Sequence, residues 1–154
     1  MARRLARSHR PLLAALAVFL AAGPALADDA GQIKVSKGTV HIERGGQSLP
    51  APVGARVQVA DVVVTGADGS VGILFQDASL LSAGPNSVLA IDRFSFDSTT
   101  NQGAFDTSLR TGTLAAVSGK IAKQTPDAMK VRTPAAILGV RGTEFAVRTS
   151  GPAN

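Results

Sequence analysis

The chain has 154 residues, 45% of them hydrophobic, which is enough for one modest core and predicts a single domain. Cysteine is absent, which excludes disulfides, thiolate metal sites and cysteine nucleophiles. The formal charge of +5 suggests a polyanionic partner, but Arg3, Arg4, Arg7 and Arg10 all precede the first apolar run. Without these four, twelve basic residues face eleven acidic ones, so no electrostatic basis for nucleic-acid binding remains.

The first 27 residues have the three parts of a secretory signal peptide. The arginines precede an apolar run at 11–22, and Ala25 and Ala27 form the A-x-A pattern of a signal peptidase site. The apolar run is well short of the roughly 20 residues that span a bilayer. We therefore expect cleavage between Ala27 and Asp28 and a periplasmic location. The alternative is that the segment is retained as a membrane anchor.

From Gly31 onward, short β-branched runs alternate with turn residues, which is typical of an all-β domain. Gly45-Gly46 predicts a tight hairpin, and Ala67-Asp68-Gly69 predicts the next turn. We predict an antiparallel β-sandwich of jelly-roll type over residues 28–150, followed by a short tail at 151–154. A β-helix-like stack of short strands is the alternative. No helical periodicity of useful length follows the signal segment.

Strict alternation identifies the clearest core strand. In SVGILFQ, Val71, Ile73 and Phe75 share one face and are predicted to be buried. A second alternating run, VLAIDRFSF, is interrupted at Asp92-Arg93, which predicts a shift in register. The polar stretch 97–103 reads as a surface loop.

No catalytic, cofactor-binding or metal-binding constellation is visible after the signal segment. His41 stands alone there and alternates with strand residues, so we expect it to face solvent. Most aspartates lie at strand ends or turns, where a carboxylate caps backbone N–H groups. They are Asp61, Asp68, Asp77, Asp92, Asp97 and Asp106. We therefore expect a protein that is not an enzyme and has no cofactor.

Four segments together resemble the FecR domain family, which is bacterial and periplasmic. They are GTVHIERGG, VGARVQVADVVVTGADGSVGILFQDASLLSAGPNSVLAI, LRTGTLAAVSG and VRTPAAILGVRGTEFAV. The last is the most specific, because the family pattern T-P-x-A-x-x-G-V-R-G-T-x-F-x-V is met in full. Its principal residues are Thr133, Pro134, Gly139, Arg141, Gly142, Thr143 and Phe145. We interpret this motif as a structural corner that closes the domain, since proline and glycine favour a change of chain direction.

The resemblance implies an all-β domain that is usually a sandwich. The best-known members are membrane-spanning regulators that sense a loaded outer-membrane transporter and control an iron-responsive sigma factor. Because only ten residues precede the apolar run here, we expect no cytoplasmic regulatory segment of that kind.

We therefore expect a periplasmic binding module that contacts another envelope protein in sensing, signalling or assembly. Lys130, Arg132, Arg141 and Arg148 are the candidate contacts. A binder of cell-wall polymer or of a small ligand is the second possibility. A hydrolase that depends on a carboxylate pair is the third.

Overall fold

A computed structural model describes residues 28–142 and 144–151 of the chain. In this part the protein is almost entirely β-structure, and the predicted all-β class is confirmed. The elements are β1 (Asp29–Lys37), β2 (Val40–Arg44), β3 (Gln47–Pro50), β4 (Arg56–Gln58), β5 (Val62–Thr65), β6 (Ser70–Phe75), β7 (Leu80–Ala83), β8 (Val88–Phe96), β9 (Gly103–Val117), α1 (Lys120–Gln124), β10 (Met129–Arg132), β11 (Ile137–Val140) and β12 (Glu144–Thr149). No helix in these ranges has the length and apolar character needed to cross a membrane.

The strands form one curled sheet whose two halves share the long strand β9. We call the half with the strand order β4-β1-β6-β7-β9-β12 sheet A, and the half with the order β3-β2-β5-β8-β9-β10-β11 sheet B. Every ladder is antiparallel except that between β9 and β10. This pairing differs from a stack of parallel coils, so the β-helix alternative is wrong.

Strand β9 changes sheets at Gly112, whose φ is +95°. An added Cβ there would lie 2.1 Å from Ser87 Oγ and 2.5 Å from Ser87 Cα. Ser87 is buried and holds the residue that follows the bend, because its Oγ accepts from Thr113 N at 3.0 Å and donates to Thr113 O at 3.2 Å. Glycine is therefore required here by close approach as well as by its backbone angle.

The core lies between the inner faces of the two halves. Phe75 of sheet A packs against Phe94 and Phe105 of sheet B, with ring centroids 5.6 and 4.5 Å away. The predicted burial of Val71, Ile73 and Phe75 is confirmed. The shift expected at Asp92-Arg93 is also confirmed, because the register of β8 on β9 is irregular between Ile91 and Arg93.

One short helix, α1, was not predicted from the sequence. This single turn has no side-chain N-cap and would be marginal alone. Tertiary contacts hold it, because Ile121 and Ala122 are buried and Lys120 N donates to Asp77 O at 2.7 Å. The sequence could not indicate this helix, because five residues are too few to show helical periodicity and the helix is stabilised by its tertiary packing.

Candidate functional site

The family motif forms two corners separated by a short strand. Thr133 N donates to Ala136 O at 2.8 Å and closes the hairpin between β10 and β11. The turn of this hairpin is short, since β10 ends at Arg132 and β11 begins at Ile137. After β11 the chain leaves sheet B through Arg141 and Gly142 and enters sheet A as β12.

The crossing between the two sheets uses a left-handed backbone and a weak ion pair. Gly142 has φ +61°, which favours glycine. Arg141 Nη2 lies 3.8 Å from Asp127 Oδ2, and both side chains are largely exposed. Gly139 faces the same aspartate, since a Cβ there would lie 2.7 Å from Asp127 Oδ1. Pro134 is exposed, Phe145 is half-buried, and Thr143 lies outside the described residues.

The structure separates the four candidate contact residues. Lys130 and Arg132 alternate with buried Met129 and Val131, and so lie on the outer face of sheet B. Arg148 lies on the outer face of sheet A, where its Nε donates to Thr113 Oγ1 at 3.3 Å. Arg141 lies at the crossing between the sheets. One partner surface would therefore not include all four. Asp28 is exposed ahead of β1, and its predicted cleavage partner Ala27 lies outside the described residues.

The outer face of sheet A carries an apolar patch that the sequence did not reveal. Leu74, Leu80 and Val117 lie side by side on β6, β7 and β9, because Leu74 pairs with Leu80 and Leu80 pairs with Val117. Each of the three side chains remains 38–40% exposed. Val35 of β1, at 43%, extends the patch by covering Gly72. We call these four residues the aliphatic row.

Small residues line the neighbouring positions of the same face. Ser82 pairs with Ala115, and Ala115 pairs with Ala146. These small side chains form a depression across β7, β9 and β12 beside the aliphatic row. The resulting groove has a volume of about 370 Å³. No charged residue occupies an outward position of β6, β7 or residues 112–117 of β9. Solvent-facing sides of antiparallel sheets are usually polar, so this face is unusual.

The outer face of sheet B carries charged side chains as well as exposed Ile137. Asp106 pairs with Lys130 in the β9–β10 ladder, and Ser108 hydrogen-bonds the carboxylate of Asp92. At the opposite end, His41 Nε2 lies 3.7 Å from Glu43 Oε1. His41 is half-buried and is thus less open to solvent than we expected. Charged groups therefore lie within the outer face of sheet B, whereas they only border the aliphatic row of sheet A.

Charges border the apolar patch only at the edges of sheet A. On one side, Lys34 and Lys37 are exposed on β1, and Arg56 lies beyond them on β4. On the other side, β12 contributes Glu144 and Arg148. Arg56 is partly neutralised by Asp29, 3.7 Å away. The border is predominantly basic.

Several of the aspartates serve the structural role that the sequence indicated. Thr39 N donates to Asp68 Oδ1 at 3.1 Å, and this bond lowers the pKa of Asp68. Asp97 accepts from the N–H groups of Thr99 and Thr100, which lowers its pKa in the same way. These carboxylates are held charged as turn caps.

Asp61 and Asp77 are buried and fully engaged by neighbours. Both oxygens of Asp61 accept from Arg44 at 2.7 Å, and this hydrogen bonding raises the pKa of Arg44. Asp77 accepts from the backbone and hydroxyl of Ser79, whose Oγ accepts in turn from Gly119 N. Over residues 28–142 and 144–151, no three His, Cys, Asp or Glu side chains are grouped to hold a metal ion.

A cleft at one end of the sandwich has a volume of about 790 Å³. Phe94, Phe96 and Val59 provide its apolar surface, while Asp29 and Arg56 provide charge. The two charged groups are already paired with each other.

The described residues form an all-β domain whose sheet A carries the aliphatic row on its outer face. The family model described as FecR protein matches residues 61–154, which is more than half of the chain. The chain therefore belongs to the FecR family, as its motif predicted. No curated protein and no solved structure matches the chain. Membership in this family connects the domain with envelope signalling.

Proposed function

We propose that this protein is a periplasmic, non-enzymatic module that binds another envelope protein through the outer face of sheet A. The observation that supports it best is the aliphatic row of Val35, Leu74, Leu80 and Val117, which crosses adjacent strands without a charged residue among β6, β7 and the adjoining part of β9. Exposed apolar patches of this kind mark protein interaction sites. The family's link to envelope signalling agrees with this role.

The charged residues around the aliphatic row indicate the charge of the partner. Lys34, Lys37, Arg56 and Arg148 border the aliphatic row, against two acidic residues on the same two edges, Asp29 and Glu144. Complementary charge at the rim of an interface steers association and fixes register. We therefore infer a partner that presents an aliphatic ridge flanked by carboxylates. Of the earlier candidates, Arg148 belongs to this surface, whereas Lys130 and Arg132 lie on the opposite side.

A small ligand is the second candidate, and the cleft beside Phe94 and Phe96 is the feature that favours it. Its aromatic side chains supply apolar area, and Arg56 supplies a donor for a carboxylate or phosphate. A carboxylate-dependent hydrolase receives less support, because Asp61 and Asp77 are both occupied by structural hydrogen bonds.

The test compares two exposed apolar positions on different faces. A photo-crosslinking amino acid replaces Leu80 in one variant and Ile137, 67% exposed on sheet B, in a matched control. The proposal predicts one defined envelope protein linked to position 80 in cells, no such product from position 137, and loss of the product on adding Leu74→Asp. Identical products from both positions, or a product unaffected by Leu74→Asp, would contradict it.

Two further measurements check folding and location. Circular dichroism must show an unchanged β-spectrum for each variant, since Leu74 and Leu80 point away from the core. Cell fractionation with N-terminal sequencing of the mature protein is expected to give a periplasmic product that begins at Asp28. Recovery of an intact N-terminus in the membrane fraction would instead support the anchor.

A further inference from the structure

Strand β12 is an open sheet edge with few of the usual protections. In the described part of the chain it pairs only with β9, in an unbroken antiparallel register from Glu144 to Thr149. The other sheet edges are shorter: β3 has four residues and ends in Pro50, β4 has three, and β11 has four. Natural proteins protect edges by shortness, proline or bulges, and six regular residues without these features form a template for another strand.

The inner side of β12 is incompletely covered. Phe145 and Val147 point towards the core and pack against it, yet both remain only half-buried. Their inward-facing neighbours on β9, Ala116 and Leu114, are buried in the same ladder. A strand added beyond β12 would remove more of these two side chains from water, which would favour its binding.

The sequence of β12 is complementary to itself. In an antiparallel ladder, two residues directly opposite each other either both direct their N–H and C=O groups towards the partner strand or both direct them away. The two-fold axis between two identical strands must therefore pass between two copies of the same residue. Centring on Ala146 places Glu144 opposite Arg148 of the second copy, and Phe145 opposite Val147 of the second copy. Centring on Phe145 or Val147 loses the charge pairing. Within the described residues neither Glu144 nor Arg148 takes part in an ion pair.

We propose that two copies of this chain associate through antiparallel pairing of their β12 strands about Ala146. The small side chain of Ala146 lies at the two-fold axis, with opposite charges on both sides on the outer face. On the inner face, each Phe145 meets a Val147, and aromatic to β-branched pairs stabilise antiparallel sheets. Pairing joins the two A sheets edge to edge and brings their aliphatic outer faces onto one surface. The inference does not depend on the proposed envelope partner.

Cysteine crosslinking tests the register directly, because the natural chain has no cysteine. Ala146→Cys would place two sulfur-bearing residues opposite each other, with Cα atoms about 4.5–5.5 Å apart, a separation that a disulfide spans. Ala115→Cys is the matched control, since Ala115 is exposed and pairs with Ala146 one strand inward. In the dimer the two β9 strands are separated by the two β12 strands, which makes three strand spacings. The Cα atoms of residue 115 in the two copies would therefore be about 14 Å apart, too far for a disulfide.

Mild oxidation of the purified protein is expected to yield a covalent dimer for Ala146→Cys and little or none for Ala115→Cys. Equal yields from both variants would indicate random collision and overturn the pairing. So would sedimentation of the unmodified protein as a monomer at concentrations up to about 1 mM, the weak end of specific association.

A charge exchange provides an independent test. Glu144→Arg and Arg148→Glu should each weaken the dimer in sedimentation by at least tenfold in Kd, because each places like charges opposite one another twice. The double variant E144R/R148E restores opposite charges at both pairs and should return Kd to within about threefold of the original. An additive loss in the double variant would overturn the register, even if the protein is a dimer.

Discussion

Replacing Gly112 by alanine should be among the most damaging single-methyl changes in this protein. Gly112 is the residue at which β9 passes from sheet B to sheet A, and its φ of +95° is unfavourable for any residue with a Cβ. The added methyl would also overlap Ser87, whose Oγ and Cα lie 2.1 and 2.5 Å from the ideal Cβ position. Both the angle and the contact therefore oppose the substitution.

The expected cost follows from two contributions. The unfavourable backbone angle costs roughly 1–2 kcal/mol for an L-residue. Displacing Ser87 disturbs its two hydrogen bonds to Thr113, each worth about 1 kcal/mol net. The free energy of unfolding should therefore fall by about 3–4 kcal/mol, a large share of the roughly 5–15 kcal/mol typical of a domain.

Urea denaturation followed by circular dichroism measures this loss. With a slope of about 2 kcal/mol/M, the midpoint should fall by roughly 1.5–2 M. Gly142→Ala is the control, because Gly142 also has a positive φ, of +61°, but its nearest neighbour to a new Cβ is Lys123 Cγ at 3.6 Å. That variant should lose only the angular cost of roughly 1–2 kcal/mol. Equal losses for the two variants would refute the argument from close approach.

Three further predictions concern charged groups. Arg44→Ala should lower the free energy of unfolding in urea by about 3 kcal/mol, since it leaves the carboxylate of Asp61 buried without its partner, and adding Asp61→Asn should recover part of the loss. Asp68→Ala should lower the melting temperature at pH 7. The pKa of Asp68 is lower in the folded protein than in the unfolded chain. In a series of melting curves, the difference in melting temperature should therefore persist above the unfolded pKa and vanish as the pH falls through the folded pKa. Arg141→Ala should cost less than about 1 kcal/mol in urea, because its ion pair is exposed.

Each of these three predictions has an outcome that would contradict it. An Arg44→Ala variant as stable as the original protein would show that the buried carboxylate needs no cation. A stability difference for Asp68→Ala that stays constant down to pH 2 would deny a role for its charge. A large loss for Arg141→Ala would mean that the guanidinium holds the crossing between β11 and β12 together.

Local sequence determined much of the β-structure. The Gly45-Gly46 hairpin has φ values of +56° and +79° at its two glycines, as the dipeptide predicted. The alternation in 70–76 correctly assigned Val71, Ile73 and Phe75 to the core, because side chains alternate strictly between the two faces of a strand. The family motif was identified from the same local pattern, and the family match over 61–154 confirms it. These features depend on residues close to one another in the chain.

Tertiary structure decided how the strands were arranged beside one another. Leu74 could be assigned to the face opposite the core, but only strand order places it beside Leu80 and Val117 to make an aliphatic row. The free edge of β12 is likewise a consequence of its pairing with β9 alone among the residues that the structure describes. The physical reason is that strand order and register are fixed by pairing between distant segments, whereas alternation within one strand reports only which face each residue occupies.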